Sequence, residues 1–373
     1  MRIHTLPASR PAQRGFSLIE IMVGILIALL AILVIFQVFA VAEGLKRNTT
    51  GAADAQQNGL LSVFTLGLEL ANAGNGIATA GDELGRCDPA AAINKDIKTT
   101  LRPIPVLITD NSGSTGGVLN SDSFVVNYST ATRVVAPAKF QGAGTWAIGS
   151  TSFTVVSPNG YKKDDLIVGI ANPEVAATGC SLMKISSVTV DTGTGVATLT
   201  TATGSTVAFT TSSQMFNMGQ SGQTQRVLYD LDTTARVLRS TDLLTTGATA
   251  NPLASNVMLV KARYGIDTDN DDIIDSWVRG EGDWAPDKVL AMPMYPPTPT
   301  SAALALSRIK AVRIGVVVRS EQYDRDVTGA YSWRLFECAV GDTTCQGSLP
   351  ANWRYRTYET IIPLRNQIWN PPV

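Results

Sequence analysis

Histidine is nearly absent from this sequence, since His4 is the only one among 373 residues. Ser-His-Asp and Cys-His catalysis need an imidazole, and so do zinc sites that combine histidine with other ligands. His4 stands ahead of the long apolar segment near the start, so the body of the chain has no such group. No motif for carboxylate or lysine catalysis replaces it. We therefore expect a protein that is not an enzyme and requires no cofactor.

Runs of basic residues are also missing. The chain has 30 Lys and Arg against 31 Asp and Glu, with a formal net charge of −1. Proteins that bind nucleic acid through its phosphates concentrate positive charge on one surface. The charge balance therefore argues against a nucleic-acid partner. The hydrophobic fraction of 45% is sufficient for a large core.

Charge is scarce near the beginning of the chain. The segment 16–42 contains one charged residue, Glu20, and is long enough to cross a bilayer as a helix. A charge there costs on the order of 2.5–3.5 kcal/mol on insertion scales, so we expect Glu20 to have a function. Residues 1–15 carry no acid, and their positive charge indicates the cytoplasmic side of a membrane. The basic residues are Arg2, Arg10 and Arg14.

The junction Arg14-Gly15-Phe16-Ser17-Leu18-Ile19-Glu20 resembles the cleavage and methylation site of type IV prepilins. The resemblance implies that prepilin peptidase cuts after Gly15 and that Phe16 becomes an N-methylated N-terminus. It also implies that Glu20 pairs with the Phe16 amine of a neighbouring subunit. The physical reason is that an ammonium and a carboxylate relieve each other's burial in a medium of low dielectric. An ordinary single-pass anchor with a chance glutamate is the alternative.

The apolar pattern continues beyond the membrane segment. Leu60, Phe64, Leu68 and Ala71 recur every three or four residues, and Leu61 and Leu70 widen this row. The pattern predicts a helix with one apolar stripe packed on a sheet. Gly74-Asn75-Gly76 ends that helix. We interpret residues 16–76 as one stem helix, with the transmembrane part at 16–42. Major pilins bend this helix at a proline, and the lack of proline from Phe16 to Asp88 favours a minor pilin.

Beyond residue 77 the sequence changes to short apolar or alternating runs separated by Gly, Asn, Asp and Ser clusters, which predicts strands. The expected fold class is α+β and pilin-like, with a long N-terminal helix packed on an enlarged antiparallel β-rich head. The predicted strands are Ser123–Tyr128, Ser152–Val156, Asp165–Ile170, Lys184–Val190, Val196–Thr200, Arg226–Leu231, Val257–Tyr264, Arg308–Ser320 and Tyr355–Pro363.

The last strands carry a second resemblance. Ile309–Ser320 and Tyr358–Asn366 are similar to the C-terminal part of PilW-type minor pilins, which are related to the minor pseudopilin J of type II secretion. The resemblance covers the beginning of the chain and residues 225–366. We therefore predict four segments. They are a leader at 1–15, the stem at 16–76, a variable β-rich head region at 77–225 and the C-terminal part of the head at 226–373.

Four cysteines in a chain expected to leave the cytoplasm predict two disulfides. Among the three possible pairings we expect Cys338 with Cys345, which closes a short loop where Gly341 and Asp342 can turn, and Cys87 with Cys180. Four unpaired thiols are the alternative. A zinc site is disfavoured because the sequence has no Cys-x-x-Cys.

Residues 267–275 form an acidic run with carboxylates at relative positions 1, 3, 5 and 9. Alternating oxygen ligands in a tight loop suit Ca²⁺, and a bound cation would relieve their repulsion. However, Asp272 stands where such loops have glycine, and Val278 stands where they have a bidentate acid. A solvated acidic turn is the alternative. The candidate ligands are Asp267, Asp269, Asp271 and Asp275.

The PilW resemblance implies a minor pilin that primes assembly of a type IV pilus and lies at or near its tip with other minor pilins and an adhesin. It implies contacts with the major pilin through the stem, and with prepilin peptidase and the inner-membrane assembly platform. The protein would be single-pass in the inner membrane with a periplasmic head, and then reach the cell surface in the pilus. A type II secretion minor pseudopilin is the alternative of the same class.

A membrane-anchored carbohydrate-binding module or hydrolase is the alternative of another class. Aromatic side chains could line a sugar-binding groove, although core packing is the simpler interpretation of them. These residues are Trp277, Trp284, Tyr295, Tyr331, Trp333 and Trp353.

Overall fold

The chain forms two units, Met1–Ala52 and Ala53–Val373. The first helix, α1 (Leu18–Ala71), continues from the first unit into the second. The computed structural model describes residues 15–76, 104–111, 114–115, 118–131, 137–142, 144–156, 159–172, 178–220, 222–245, 247–269, 271–293 and 303–368.

The described part of the first unit is the apolar beginning of α1. No proline interrupts it, so every turn can form its backbone hydrogen bonds, and the predicted uninterrupted stem helix is confirmed. Its large apolar side chains are exposed, and its most apolar window has a mean hydropathy of 3.1. Among the helices that the structure describes, α1 alone is long and apolar enough to cross a membrane.

The second unit is a β-rich head with sheets of five, six and four strands and two two-stranded ribbons. The strands are β1 (Val106–Thr109), β2 (Ser114–Thr115), β3 (Val118–Leu119), β4 (Ser123–Ser129), β5 (Ala138–Lys139), β6 (Ser152–Val155), β7 (Asp165–Ile170), β8 (Cys180–Asp191), β9 (Val196–Thr201), β10 (Gln214–Gln220), β11 (Thr224–Asp232), β12 (Val237–Asp242), β13 (Asn251–Ala254), β14 (Val257–Ile266), β15 (Ser276–Val278), β16 (Ile309–Arg319), β17 (Tyr331–Arg334), β18 (Gln346–Leu349) and β19 (Tyr355–Pro363). The short helices are α2 (Pro286–Ala291) and α3 (Arg365–Ile368), and 3₁₀ turns lie at Gly282–Trp284 and Leu306–Arg308.

Two sheets share one core with the part of α1 that belongs to the head. They are the five-stranded sheet β1-β4-β11-β12-β13 and the four-stranded sheet β15-β14-β16-β19, both antiparallel. The helix contributes Leu66 and Leu70, and the sheets contribute Phe124 and Tyr264, all fully buried. Each large apolar side chain buried in this way contributes about 1.5–3 kcal/mol, so the core holds the helix on the head.

The six-stranded sheet has the order β5-β10-β7-β8-β9-β6 and a core of its own. An antiparallel bridge between Phe140, next to β5, and Val155, in β6, joins its two edges. The sheet is therefore closed into a small barrel, which leaves no free edge for pairing with other chains. Phe140, Phe153 and Phe209 pack within it, with ring centroids 5.0 to 6.0 Å apart.

The barrel leaves and rejoins the five-stranded sheet at adjacent residues. Ser129 of β4 pairs with Thr224 of β11, and the Thr130 N–H donates to the Gln223 carbonyl at 2.9 Å. Strands β4 and β11 are therefore a hairpin whose turn is replaced by the barrel. The five-stranded sheet therefore combines strands that come before and after residue 225 in the sequence. The predicted boundary between two parts of the head at that residue stays a prediction.

The nine predicted strands are confirmed, since each overlaps an observed strand. Several short strands, such as β12, β17 and β18, were not predicted because runs of four to six residues with mixed polarity carry little periodic signal. The predicted end of the stem is also confirmed. Helix α1 stops at Ala71, and Gly74 and Gly76 follow with φ of 76° and 66°.

The packing face predicted for α1 is wrong for most of its residues, although Leu70 and Ala71 do pack on the core. Leu60, Phe64 and Leu68 are 53%, 64% and 51% exposed and do not face the sheets. The residues that do face the sheets form a second row with the same spacing of three or four positions. Periodicity alone therefore cannot show which of the two rows is buried. The row that faces the sheets is richer in small residues, which let the helix approach closely. It consists of Ala55, Gly59, Ser62, Leu66 and Leu70.

Candidate assembly site on the stem helix

The N-terminal motif lies at the start of α1. Gly15, Phe16 and Ser17 precede the helix, and the Ser17 carbonyl accepts a hydrogen bond from the Ile21 N–H at 3.1 Å. Phe16 is 78% exposed, and the exposed Glu20 lies in the first helical turn. A carboxylate is favoured there because the N-terminal end of a helix dipole is positive. The motif therefore presents one aromatic and one acidic side chain at the same helix end.

Four large apolar side chains on the head-side part of α1 point away from the sheets. They are Leu60, Leu61, Phe64 and Leu68, which we call the stem stripe. Their spacing of three or four residues places them on neighbouring turns of one helix face. Single exposed apolar residues are common, whereas a contiguous row is typical of an interaction surface. The stem stripe is therefore the candidate contact surface of the head.

Close packing on the opposite side fixes the direction of the stem stripe. Gly59 lies so near to Tyr358 of β19 that a Cβ atom at Gly59 would overlap the tyrosine ring. Beyond the helix end, the Gly74 N–H donates to the Asn127 carbonyl at 2.8 Å, and the Asn366 side chain donates to the Ala73 carbonyl at 2.9 Å. These contacts hold α1 at Gly59 and just beyond its C-terminal end, and they fix which face of the helix is turned to the sheets.

A polar contact also holds the last turns of α1. The Tyr128 hydroxyl of β4 donates to Glu69 Oε2 at 2.8 Å. Burial raises the pKa of Tyr128, and the hydrogen bond and negative charge of Glu69 raise it further. Burial likewise raises the pKa of Tyr229, with Glu69 as the second cause. Both phenols therefore stay protonated as donors, and Glu69 is a fixed acceptor between the helix and the sheet.

Three of the four predicted metal ligands come together. Oxygens of Asp267, Asp269 and Asp275 lie within 4.8 Å of one another. Asp271 is not in this group, and its Oδ1 accepts a hydrogen bond from the Ile273 N–H at 2.8 Å. Asp272 has φ of 66°, a left-handed conformation that aspartate tolerates in turns. It therefore makes the turn for which the sequence pattern requires glycine.

Basic side chains enter the same loop. Lys310 Nζ lies 3.4 Å from Asp267 Oδ2 and 2.6 Å from Asp272 Oδ1, and Arg308 donates to the Thr268 carbonyl. The loop is thus stabilised in part by its own cations, which weakens the argument from carboxylate repulsion.

Local contacts also change the acidity of two of the carboxyls. Two hydrogen bonds from Thr268 to Asp275 Oδ2, both 2.6 Å, lower the pKa of Asp275. Desolvation and the neighbouring carboxylates raise the pKa of Asp269. The carboxyl of Asp269 therefore holds a proton more tightly than that of Asp275.

The predicted disulfide between Cys338 and Cys345 is confirmed. Its loop belongs to a small cluster in which Trp333 and Leu335 pack against Leu259 of β14. Cys180 is also disulfide-bonded. Cys87 lies outside the described residues, so the predicted pairing of Cys87 with Cys180 stays a prediction.

The aromatic residues proposed for a sugar groove occupy separate packing sites. Trp284 and Trp333 are buried. Tyr331 stacks on Tyr355 with ring centroids 5.2 Å apart, and the Arg319 guanidinium lies 3.8 Å from the Trp353 ring centroid. The Arg313 guanidinium lies 5.9 Å from the ring centroid of Trp277, and Tyr295 is outside the described residues. Core packing is thus the better interpretation of the described members.

Two family models match the sequence. Residues 215–366 match the family described as Type IV Pilus-assembly protein W, and residues 10–36 match the prokaryotic N-terminal methylation motif. Among solved structures, a type IV-like pilin from Thermus thermophilus is 10% identical, with 55% of this chain and 85% of that chain covered and a TM-score of 0.26. No curated protein matches the chain.

A long apolar helix with a methylation motif at its start, continued onto an antiparallel β-rich head, defines a pilin-like protein. Such proteins are structural and are anchored in a membrane by this helix. Within that class the C-terminal strands, in residues 215–366, are similar to the Type IV Pilus-assembly protein W family, and this similarity supports a PilW-like minor pilin.

Proposed function

We propose that this protein assembles into a type IV pilus through its stem helix. The observation that carries the proposal is the stem stripe, an exposed apolar row on a helix whose other face is packed on the head. Such a row is favourable only when another surface covers it. The apolar first part of α1 is exposed as well. A bundle of stem helices from other minor pilins and from the major pilin would bury both the stem stripe and this first part of α1.

We infer that Glu20 supplies a polar contact in that bundle. Within the described residues its carboxylate has no ion-pair partner. In an apolar surrounding it needs one, since an isolated charge is costly there. Cleavage by prepilin peptidase after Gly15 would create the Phe16 ammonium, which carries the opposite charge. The partner of Glu20 would be the N-methylated Phe16 of a neighbouring subunit.

In this proposal the apolar part of α1 holds the protein in the inner membrane. The arginines among residues 1–15 favour a cytoplasmic start, which places the head in the periplasm. With other minor pilins and an adhesin, the protein primes fibre growth on the assembly platform and reaches the pilus tip at the cell surface. Each of these roles is structural, and the protein performs no catalysis.

Replacing Gly15 and Glu20 separately tests the proposal. Gly15→Leu is expected to block leader removal, because a large side chain replaces the small residue before the cut. Glu20→Gln is expected to leave processing intact and to reduce copurification with the other pilins at least several-fold. Mass spectrometry of the N-terminus and immunoprecipitation of the intact chain measure the two effects.

Glu43→Gln is the matched control, because Glu43 lies further along the same helix in an exposed ion pair with Arg47 at 3.2 Å. We expect it to change neither processing nor assembly. Normal maturation of the Gly15→Leu protein would contradict the cleavage site, and unchanged copurification of the Glu20→Gln protein would contradict the pairing.

We propose weak Ca²⁺ binding at Asp267, Asp269 and Asp275 as an accessory property of the head. The support is the mutual distance of their oxygens, and Lys310 limits the affinity to the millimolar range seen in extracellular modules. Titration calorimetry should detect binding in the native protein, and Asp269→Asn should abolish it. Absence of a binding signal at millimolar Ca²⁺ would rule the site out.

A further inference from the structure

A lysine and an aspartate face each other in the interior of the head. Lys261 lies on β14, and Asp122 immediately precedes β4. Lys261 Nζ is 2.7 Å from Asp122 Oδ1, and the two side chains are 4% and 1% exposed. An amine and a carboxyl at this distance and burial are the two reactants of an amide bond, already held in position.

Backbone hydrogen bonds hold the two reactants together. The Asp122 N–H donates to the Val260 carbonyl at 2.9 Å, and the Val260 N–H donates to the Ser121 hydroxyl at 3.0 Å. The segment before β4 therefore lies against β14 with a fixed register. Gly315 is opposite Lys261 on β16, and Leu335 packs over that glycine. The pair is thus enclosed as well as positioned.

The Asp122 carboxyl is oriented so that its two oxygens have different surroundings. Oδ2 accepts the Ala262 N–H at 3.0 Å, whereas Oδ1 accepts the Asn111 N–H at 3.0 Å and contacts Lys261. Burial raises the pKa of the Asp122 carboxyl, and the charge of Asp110 raises it further, while Lys261 lowers it. The Ala262 N–H polarises the carbonyl, which makes its carbon more open to attack.

Asp110 is the third group of the arrangement. It follows β1 directly and precedes Asn111, and its charge acts on Asp122. Its Oδ1 is shielded from solvent and has no hydrogen-bond partner among the described residues. A buried carboxylate oxygen without a hydrogen bond is unfavourable, and a donor that reaches it relieves this cost. Asp110 is thus the carboxyl group whose charge acts on the pair and whose Oδ1 is available to serve as a general acid and base.

We propose that Lys261 and Asp122 become joined by an intramolecular isopeptide bond. Asp110 takes a proton from the Lys261 ammonium, and Nζ attacks Asp122 Cγ. The Cγ–Oδ1 bond breaks, Oδ1 takes up the protons released by Nζ through Asp110, and one water leaves. Oδ2 remains as the amide oxygen on the Ala262 N–H. One ammonium and one carboxylate give one amide and one water, and no oxidant, reductant or cofactor takes part.

The bond would connect the five-stranded and four-stranded sheets across 139 residues of sequence. Both sheets pack on the head-side part of α1. A covalent connection between them would keep the head closed when the stem is pulled, a property separate from assembly through the stem stripe.

Tandem mass spectrometry of tryptic peptides from the native full-length protein tests the bond. We expect a branched peptide that contains Asp122 and Lys261, lighter by one water than its two parts, with no cleavage after Lys261. Recovery of only the two linear peptides would overturn the proposal.

Two comparisons make this measurement specific. Asp110→Asn removes the proton carrier from a half-buried position and should yield linear peptides from a protein that keeps its native near-UV circular dichroism but melts at a lower temperature, because the cross-link is missing. A branched peptide at wild-type yield in that variant would overturn the role of Asp110. The exposed pair Lys184–Asp164, at 3.0 Å, is the internal control and should stay linear. A branched product there as well would show that the linkage arises during sample handling and would overturn the assignment.

Discussion

Gly59 and Gly67 lie two turns apart on α1, yet their surroundings differ. A Cβ at Gly59 would overlap the ring of Tyr358, whereas a Cβ at Gly67 would have no atom within 4 Å. Glycine weakens a helix by about 1 kcal/mol relative to alanine at either position. At Gly59 this loss is offset by the close approach of the helix to β19. At Gly67 nothing in the structure offsets it.

We therefore expect opposite effects from the same substitution at the two glycines. Gly67→Ala should raise the free energy of unfolding by about 0.5–1 kcal/mol. Gly59→Ala should lower it by about 1–3 kcal/mol, because the added methyl group forces Tyr358 out of its position. Urea unfolding of the two variants measures the difference. A stabilising Gly59→Ala would contradict the packing of α1 on β19.

At the scale of the element, α1 carries two apolar rows with different tasks. The row that includes Leu66 is buried against the sheets, and the stem stripe is exposed. Substitutions on the two rows should therefore separate stability from assembly. The same helix thus serves as a structural part of the head and as its candidate contact surface.

Phe64→Ser and Leu66→Ala provide that separation. Phe64→Ser should change the free energy of unfolding by less than about 0.5 kcal/mol but reduce copurification with partner pilins severalfold. Leu66→Ala should lower the free energy of unfolding by about 2–5 kcal/mol. Ile148→Ser is the control for an exposed apolar residue, at 70% exposure on the barrel. Equal loss of assembly in the Ile148 and Phe64 variants would contradict a specific role of the stem stripe.

At the scale of the whole molecule, the described part of the head contains two large cores and two smaller hydrophobic clusters. The first combines α1 with two sheets, and the second lies inside the barrel. The family match to PilW begins at residue 215, at the last strand of the barrel, so most of the barrel lies outside it. Because the barrel enters and leaves between Thr130 and Gln223, which are hydrogen-bonded to each other, we infer that it is an insertion.

Removing the barrel tests this inference. Replacement of residues 131–222 by Asn-Gly should convert β4 and β11 into an ordinary hairpin. Because Cys180 is lost, Cys87→Ser is included so that no thiol is left unpaired. We expect the shortened protein to keep a cooperative thermal transition and its near-UV circular dichroism. A loss of both would show that the first core depends on the barrel.

The sequence by itself determined the features that depend on local pattern. The N-terminal motif, the uninterrupted apolar helix and its end at Gly74 were readable because charge, proline and glycine act within a few residues. The long strands such as β16 and β19 were readable because alternating or continuous apolar runs are strong signals. The pairing of Cys338 with Cys345 was also accessible, since only a short loop separates them.

The tertiary structure decided what depends on distant neighbours. Phe64 and Leu66 lie on rows of equal periodicity, and only the contact of Gly59 with Tyr358 shows which row is buried. The sequence does contain a signal, since small residues recur at helical spacing from Ala55 to Ser62. This row indicates the buried face only when a sheet is known to pack against the helix. In the same way Lys310 reaches Asp267 and Asp272 from a separate strand, and Lys261 reaches Asp122 across 139 residues. Such contacts arise from chain folding between remote segments, and no local pattern encodes them.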